Sequence, residues 1–137
     1  MKKLLFLATF ISITSLLFAQ TKQHKIIFDF SKGDTASFAL MVRQATNIVN
    51  ASANAQLEIV CHGPGLDFII KNKTTVSTEI KNLQEKYNVV FAACEAAMSR
   101  RGIDKSQLLP NTITVPLASL EISSRQQEGW SYIKAGQ

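Results

Sequence analysis

Cysteine, histidine and charge are all scarce in this chain. Two cysteines in 137 residues cannot staple a disulfide-dense scaffold. Neighbouring Cys61 and His62 are poorly placed to hold one ion together and a Cys94–His62 pair lacks further ligands, so no metal is expected. No G-x-G-x-x-G follows the first apolar run and no P-loop is present, so a dinucleotide cofactor is not supported. Repeats and low-complexity runs are missing as well, and at 46% apolar residues the chain is not a disordered one. The length suits one small domain, with no internal boundary.

The formal charge of +5 hints at nucleic acid or a membrane surface, so its location matters. Lys2 and Lys3 precede an uncharged, mostly apolar stretch from Leu4 to Phe18, and Ala19 offers a small residue at a cleavage point. Residues 1–19 therefore read as a secretory signal peptide, and 20–137 as a single domain expected to be exported to the periplasm. The apolar stretch is short for a membrane span, which needs ~20 residues, and no cysteine follows it to carry a lipid. Cleavage would remove two lysines and leave a mildly basic domain with scattered, interleaved charges and no stacking aromatics. Neither nucleic acid nor a stable membrane span is then expected.

The remaining chain alternates strand and helix signals. Lys25–Ser31 and Gln56–Cys61 are rich in branched and aromatic residues and stop at glycine-containing turns, as buried strands do. Val89–Ala93 and Thr112–Val115 read as strands three and four. Between the first two, Phe38, Met41, Val42, Ala45, Ile48 and Val49 recur at helical spacing, with Asp34 or Thr35 as cap. Val76, Ile80, Leu83 and Tyr87 mark a second helix, Glu95–Arg101 a short third, and 118–133 a closing helix anchored by Trp130 and Ile133. The alternation predicts an α/β fold: a three-layer, flavodoxin-like parallel sheet of order 2-1-3-4 with helices on both faces.

In such sheets ligands bind beyond the carboxyl ends of the strands. Ser31-Lys32-Gly33, Cys61-His62-Gly63-Pro64-Gly65, Cys94-Glu95 and Pro116-Leu117 all fall there. Cys94 leaves a buried strand and opens a helix, where backbone N–H groups favour the nucleophilic thiolate; Glu95 opposes that effect. Its bland reading is a small buried core residue. Cys61 reads as structural. Its neighbour His62 points to the other face of the strand, so the pair cannot readily share a metal. Gly63 and Gly65 either cradle an anion or form a tight turn. With strand 1 between their strands, Cys61 and Cys94 would be ~9–10 Å apart, too far for a disulfide.

The stretch Phe91-Ala-Ala-Cys94-Glu-Ala-Ala-Met-Ser-Arg-Arg-Gly-Ile103 resembles the reactive-cysteine segment of DsrE/DsrF-like sulfur-relay proteins. Cys61–Leu66 and Arg125–Lys134 are similar to segments of exported members, in the same order. The resemblance spans roughly residues 24–134. It implies a small α/β fold that forms homo- or hetero-oligomers, often trimers or hexamers. It also implies that Cys94 accepts sulfane sulfur as a persulfide and passes it to a thiol partner protein. In that role Cys94 is catalytic, and Ser31, His62, Gly63, Gly65 and Glu95 are candidate binding residues. Relay members mostly act in the cytoplasm, unlike a chain with an export signal. The competing reading is a non-catalytic exported oligomer that binds a small molecule or a protein.

Overall fold

A computed structural model describes residues 23–136; the expected leader, 1–19, lies outside the described residues. Five strands form one parallel sheet: β1 (Lys25–Phe30), β2 (Gln56–Cys61), β3 (Val90–Cys94), β4 (Ile113–Val115) and β5 (Ser131–Ala135). Four helices connect them: α1 (Thr35–Ala51), α2 (Ser77–Tyr87), α3 (Glu95–Arg101) and α4 (Ala118–Gln127). Among the described residues, no helix is long and apolar enough to cross a membrane.

Local chemistry explains most boundaries. The Asp34 carboxylate accepts from Ser37 N at 2.8 Å and caps α1, whose buried stripe is Phe38, Met41, Val42, Ala45 and Val49. Asn88 and Gly102 close α2 and α3 in left-handed conformations, at φ 55° and 63°.

The strand order is β4-β3-β2-β1-β5, which corrects the expected 2-1-3-4. The difference comes from a strand the sequence pattern hid. The expected closing helix stops at Gln127, and Ser131–Ala135 returns as β5. β5 pairs with β1 on the side that a flavodoxin-like order gives to β3, so β2 lies between β1 and β3. Trp130 precedes this strand and so lies beyond the end of the helix it was expected to belong to.

Right-handed crossovers then sort the helices. The steps β1→β2→β3→β4 all run one way, which puts α1, α2 and α3 on one face. The return from β4 to β5 runs the other way and lays α4 across β1 and β2 on the opposite face. The α1 face is sealed by an aromatic cluster of Phe30, Phe38, Phe68 and Phe91, with Phe68 supplied by a 3₁₀ turn, Gly63–Ile69. The α4 face is covered more thinly. Ala118 is the only buried residue of α4, and Leu120 is 63% exposed.

Candidate functional site

Chains leaving neighbouring strands toward opposite faces open a crevice between them, and such crevices are where open α/β sheets bind ligands. Here that point lies between β3 and β4. β3 feeds α3 on one face, and β4 feeds α4 on the other. Cys94 is the last residue of β3 and pairs in register with Val115.

Pleating fixes which way the thiol points. Cys61 pairs with Ala93, so Cys94, one residue on, faces the other side of the sheet. Cys61 is directed at the α1 face and Cys94 at α4. The two thiols are free, as expected, but not because a strand separates them. Their strands are adjacent, and opposite pleat faces keep the thiols apart. Burial pushes the Cys61 thiol up, away from ionisation, which fits a packing residue.

Cys94 is 2% exposed and forms part of a cavity of about 230 Å³. Asp29, His62, Arg100, Leu117, Ala118 and Ser119 complete most of its wall. The sulfur makes no cap on α3, the helix it opens. Its donor comes from the other helix of the crevice: Ala118 N–H, at the start of α4, donates to Cys94 Sγ at 3.4 Å. A backbone donor aimed at sulfur in a buried place stabilises negative charge there.

His62 reaches the same cavity from the end of β2. Its Nε2–H donates to Asp29 Oδ1 at 2.6 Å. Asp29 Oδ2 accepts from Tyr132 at 2.9 Å and from Lys134 Nζ at 3.0 Å. The Lys134 ammonium also donates to Ser31 Oγ at 3.2 Å. Burial alone would raise the Asp29 carboxyl, but these hydrogen bonds and the Lys134 charge outweigh it and hold Asp29 below its ordinary value. An ionised Asp29 fixes which ring nitrogen of His62 carries a proton, and so orients the imidazole.

A depressed carboxyl contributes stability that is present above its ordinary value of 3.8 and is lost as pH falls through the lower folded value. Asp29→Asn is therefore expected to cost about 1–3 kcal/mol at neutral pH, the usual effect of weakening a partly buried charged network. The acid side of its stability profile should also be flatter than that of the wild type. Urea denaturation at several pH values checks both; equal acid sensitivity in the two chains would contradict this role.

The structure separates the remaining sequence candidates. Ser31 and His62 belong to the Asp29 network. Glu95 turns away from the sulfur: its Oε1 accepts from Thr114 at 2.7 Å and Lys105 at 2.8 Å. The Lys105 and Thr114 hydrogen bonds keep its carboxyl below the ordinary value. Gly63 and Gly65 belong to the 3₁₀ turn. Arg101 pins that turn by donating to the Gly63 carbonyl at 2.8 Å and to Asp67 at 2.7 Å. A Cβ on Gly65 would collide with the Phe30 carbonyl, so its smallness serves a close backbone approach. Gly63 needs its positive φ of 52°.

Asp29 and Lys134 escaped the sequence reading. Asp29 did leave a trace, as the one acid inside the apolar strand Ile26-Ile-Phe-Asp-Phe30. Lys134 left none, because its strand reads as the end of a helix.

The sequence profile of the DsrE/DsrF-like family matches residues 24–135. A search of the curated proteins returns no match. Among solved structures, the chain is similar to MTH1491, a protein of unknown function from Methanobacterium thermoautotrophicum. The TM-score is 0.77 at 23% identity, over 82% of this chain and 99% of that one. It is also similar to the ychN protein of E. coli, with a TM-score of 0.67 at 13% identity, over 82% and 99% of the two chains. A conserved protein of unknown function from Bacteroides thetaiotaomicron, BT1422, aligns with a TM-score of 0.65 at 17% identity, over 80% and 93%. At these identities the likeness concerns the fold alone.

Proposed function

Since the chain belongs to the DsrE/DsrF-like family, which suggests a sulfur-relay role at the family level, we propose that it is a sulfur carrier using Cys94. The observation that carries this reading is the position of the Cys94 sulfur. It lies at the sheet's switch point, in a small cavity, with a backbone N–H directed at it and His62 and Arg100 in the wall.

In the loading step the Cys94 thiolate attacks a sulfane sulfur of a polysulfide. One S–S bond forms to Cys94, one S–S bond of the donor breaks, and the donor departs one sulfur shorter with the electron pair. In the unloading step an acceptor thiolate attacks the outer sulfur, and Cys94 leaves as a thiolate. The Ala118 N–H offsets negative charge on the persulfide, and His62, with its Nε2–H held by Asp29, keeps Nδ1 as an acceptor for the thiol proton. The burial of Cys94 favours a slender donor over a bulky one.

The leader-like segment 1–19 supports export, and hence a periplasmic carrier. Exposed apolar residues, Ile113, Leu120 and Leu117, the last in the cavity wall, support a homo-oligomer that buries them, in keeping with the trimers or hexamers implied by the family resemblance.

Incubating the folded protein with polysulfide, followed by intact-mass measurement and peptide mapping, tests the reading. One added sulfur, about 32 Da, is expected on Cys94. An unmodified chain, or sulfur found on Cys61, would sink it and leave the non-catalytic binding module.

A further inference from the structure

A second cavity, of about 430 Å³, lies at the other edge of the sheet, by the amino ends of β2 and β3. Leu57, Glu58, Tyr87, Asn88, Arg125 and Trp130 are in its wall, and it shares no lining residue with the Cys94 cavity. Its size is within the range of small-molecule sites, about 300–1,000 Å³.

Glu58 is the one charged residue fully buried among the described residues. Its Oε2 accepts from Arg125 Nε at 2.7 Å. Its Oε1 is buried and has no hydrogen-bond partner at all. An orphaned carboxylate oxygen is costly, so this one calls for a donor. Arg125 does not supply it, being divided among three carboxylates. Besides Glu58, it meets Glu121 Oε1 at 2.9 Å and Glu128 Oε2 at 3.1 Å, and it packs 5.1 Å over the Trp130 ring. Three carboxyl groups thus share one guanidinium. Desolvation pushes the Glu58 carboxyl up to about 7 against the pull of Arg125, and Glu121 adds to the rise. One positive charge is too little for this cluster.

We propose that this cavity binds a small organic cation, a primary amine or guanidine with a flat apolar body, whose nitrogen donates to Glu58 Oε1. The ring faces of Trp130 and Tyr87 would take the body. Glu121 and Glu128 already hold Arg125, so the guanidinium can yield room at Glu58 without losing its partners. An anion is disfavoured because Arg125 is already engaged by carboxylates. The proposal does not depend on sulfur chemistry at Cys94.

Calorimetric titration of the protein with phenethylamine, and with 2-phenylethanol as a neutral control of similar shape, tests it. Saturable one-to-one binding of the amine and none of the alcohol is expected. Glu58→Gln should weaken the amine about tenfold or more, the scale of one hydrogen bond to a charged group. Ala53→Trp, at the exposed rim of the cavity, should block binding while the melting temperature stays close to wild type, so the test survives if Glu58→Gln misfolds. Cys94→Ala should bind the amine normally. No binding at millimolar amine, equal binding of the alcohol, or undiminished binding by a folded Glu58→Gln or Ala53→Trp chain would overturn the assignment.

Discussion

A Phe68→Ala chain should lose about 3–5 kcal/mol of stability, the range for truncating a fully buried phenylalanine. Phe68 sits at the centre of the aromatic cluster, with ring centroids 4.9 Å from Phe30, 5.4 Å from Phe38 and 5.9 Å from Phe91. Those three partners belong to β1, α1 and β3, so one ring ties the 3₁₀ turn to three separate elements. Backbone tightly surrounds the turn at Gly65, which leaves little freedom to collapse into the void. A domain of this size holds only about 5–15 kcal/mol in total, so the substitution removes much of it. Urea denaturation measures the loss from the shift in midpoint at unchanged slope. A loss below about 1 kcal/mol would mean that the turn repacks freely and that the cluster is not the keystone described.

How much of this was legible in the sequence follows from where the burial lies. β1, α1, β2 and β3 bury long apolar stripes, and their periodicity announces them. β5 does not: its first two residues are exposed and the next two only half buried, so Ser131–Ala135 shows neither an apolar run nor clean alternation. It also follows α4, a helix held by few apolar contacts, and the two merge into one apparent helix. Strand order had no local signal at all, because it rests on the pairing of β5 with β1, more than a hundred residues away. The candidate site was legible wherever it sits at a strand end, as at Ser31, His62 and Cys94. The acids that matter most lie inside strands. Asp29 in Ile26–Phe30 and Glu58 in Gln56–Cys61 each interrupt an apolar run, and an ionisable group in a buried strand needs a partner. That interruption was the readable sign, although the partners, Lys134 and Arg125, could not be paired without β5 and α4 in place.

Cys94→Ala should lose sulfur loading completely, while Cys61→Ala should load like wild type. The contrast follows from the pleat. Both thiols are buried at the ends of adjacent strands, yet only Cys94 opens on the cavity beside α4, whereas Cys61 is packed into the α1 face and held in its neutral form. Reactivity therefore depends on which face a sulfur occupies and not on burial as such. Removing Sγ from Cys94 also takes the acceptor from Ala118 N–H, a modest cost in folding that a melting curve will separate from lost chemistry. His62→Ala should fall between the two, loading slowly and still on Cys94, because the Ala118 N–H remains when the imidazole is gone. Intact mass against time, with about 32 Da per sulfur, ranks the three chains. If Cys94→Ala gained sulfur at the wild-type rate, the carrier reading would fall. If His62→Ala matched wild type, the Asp29–His62 pair would be a structural tie at the mouth of the cavity with no part in the transfer.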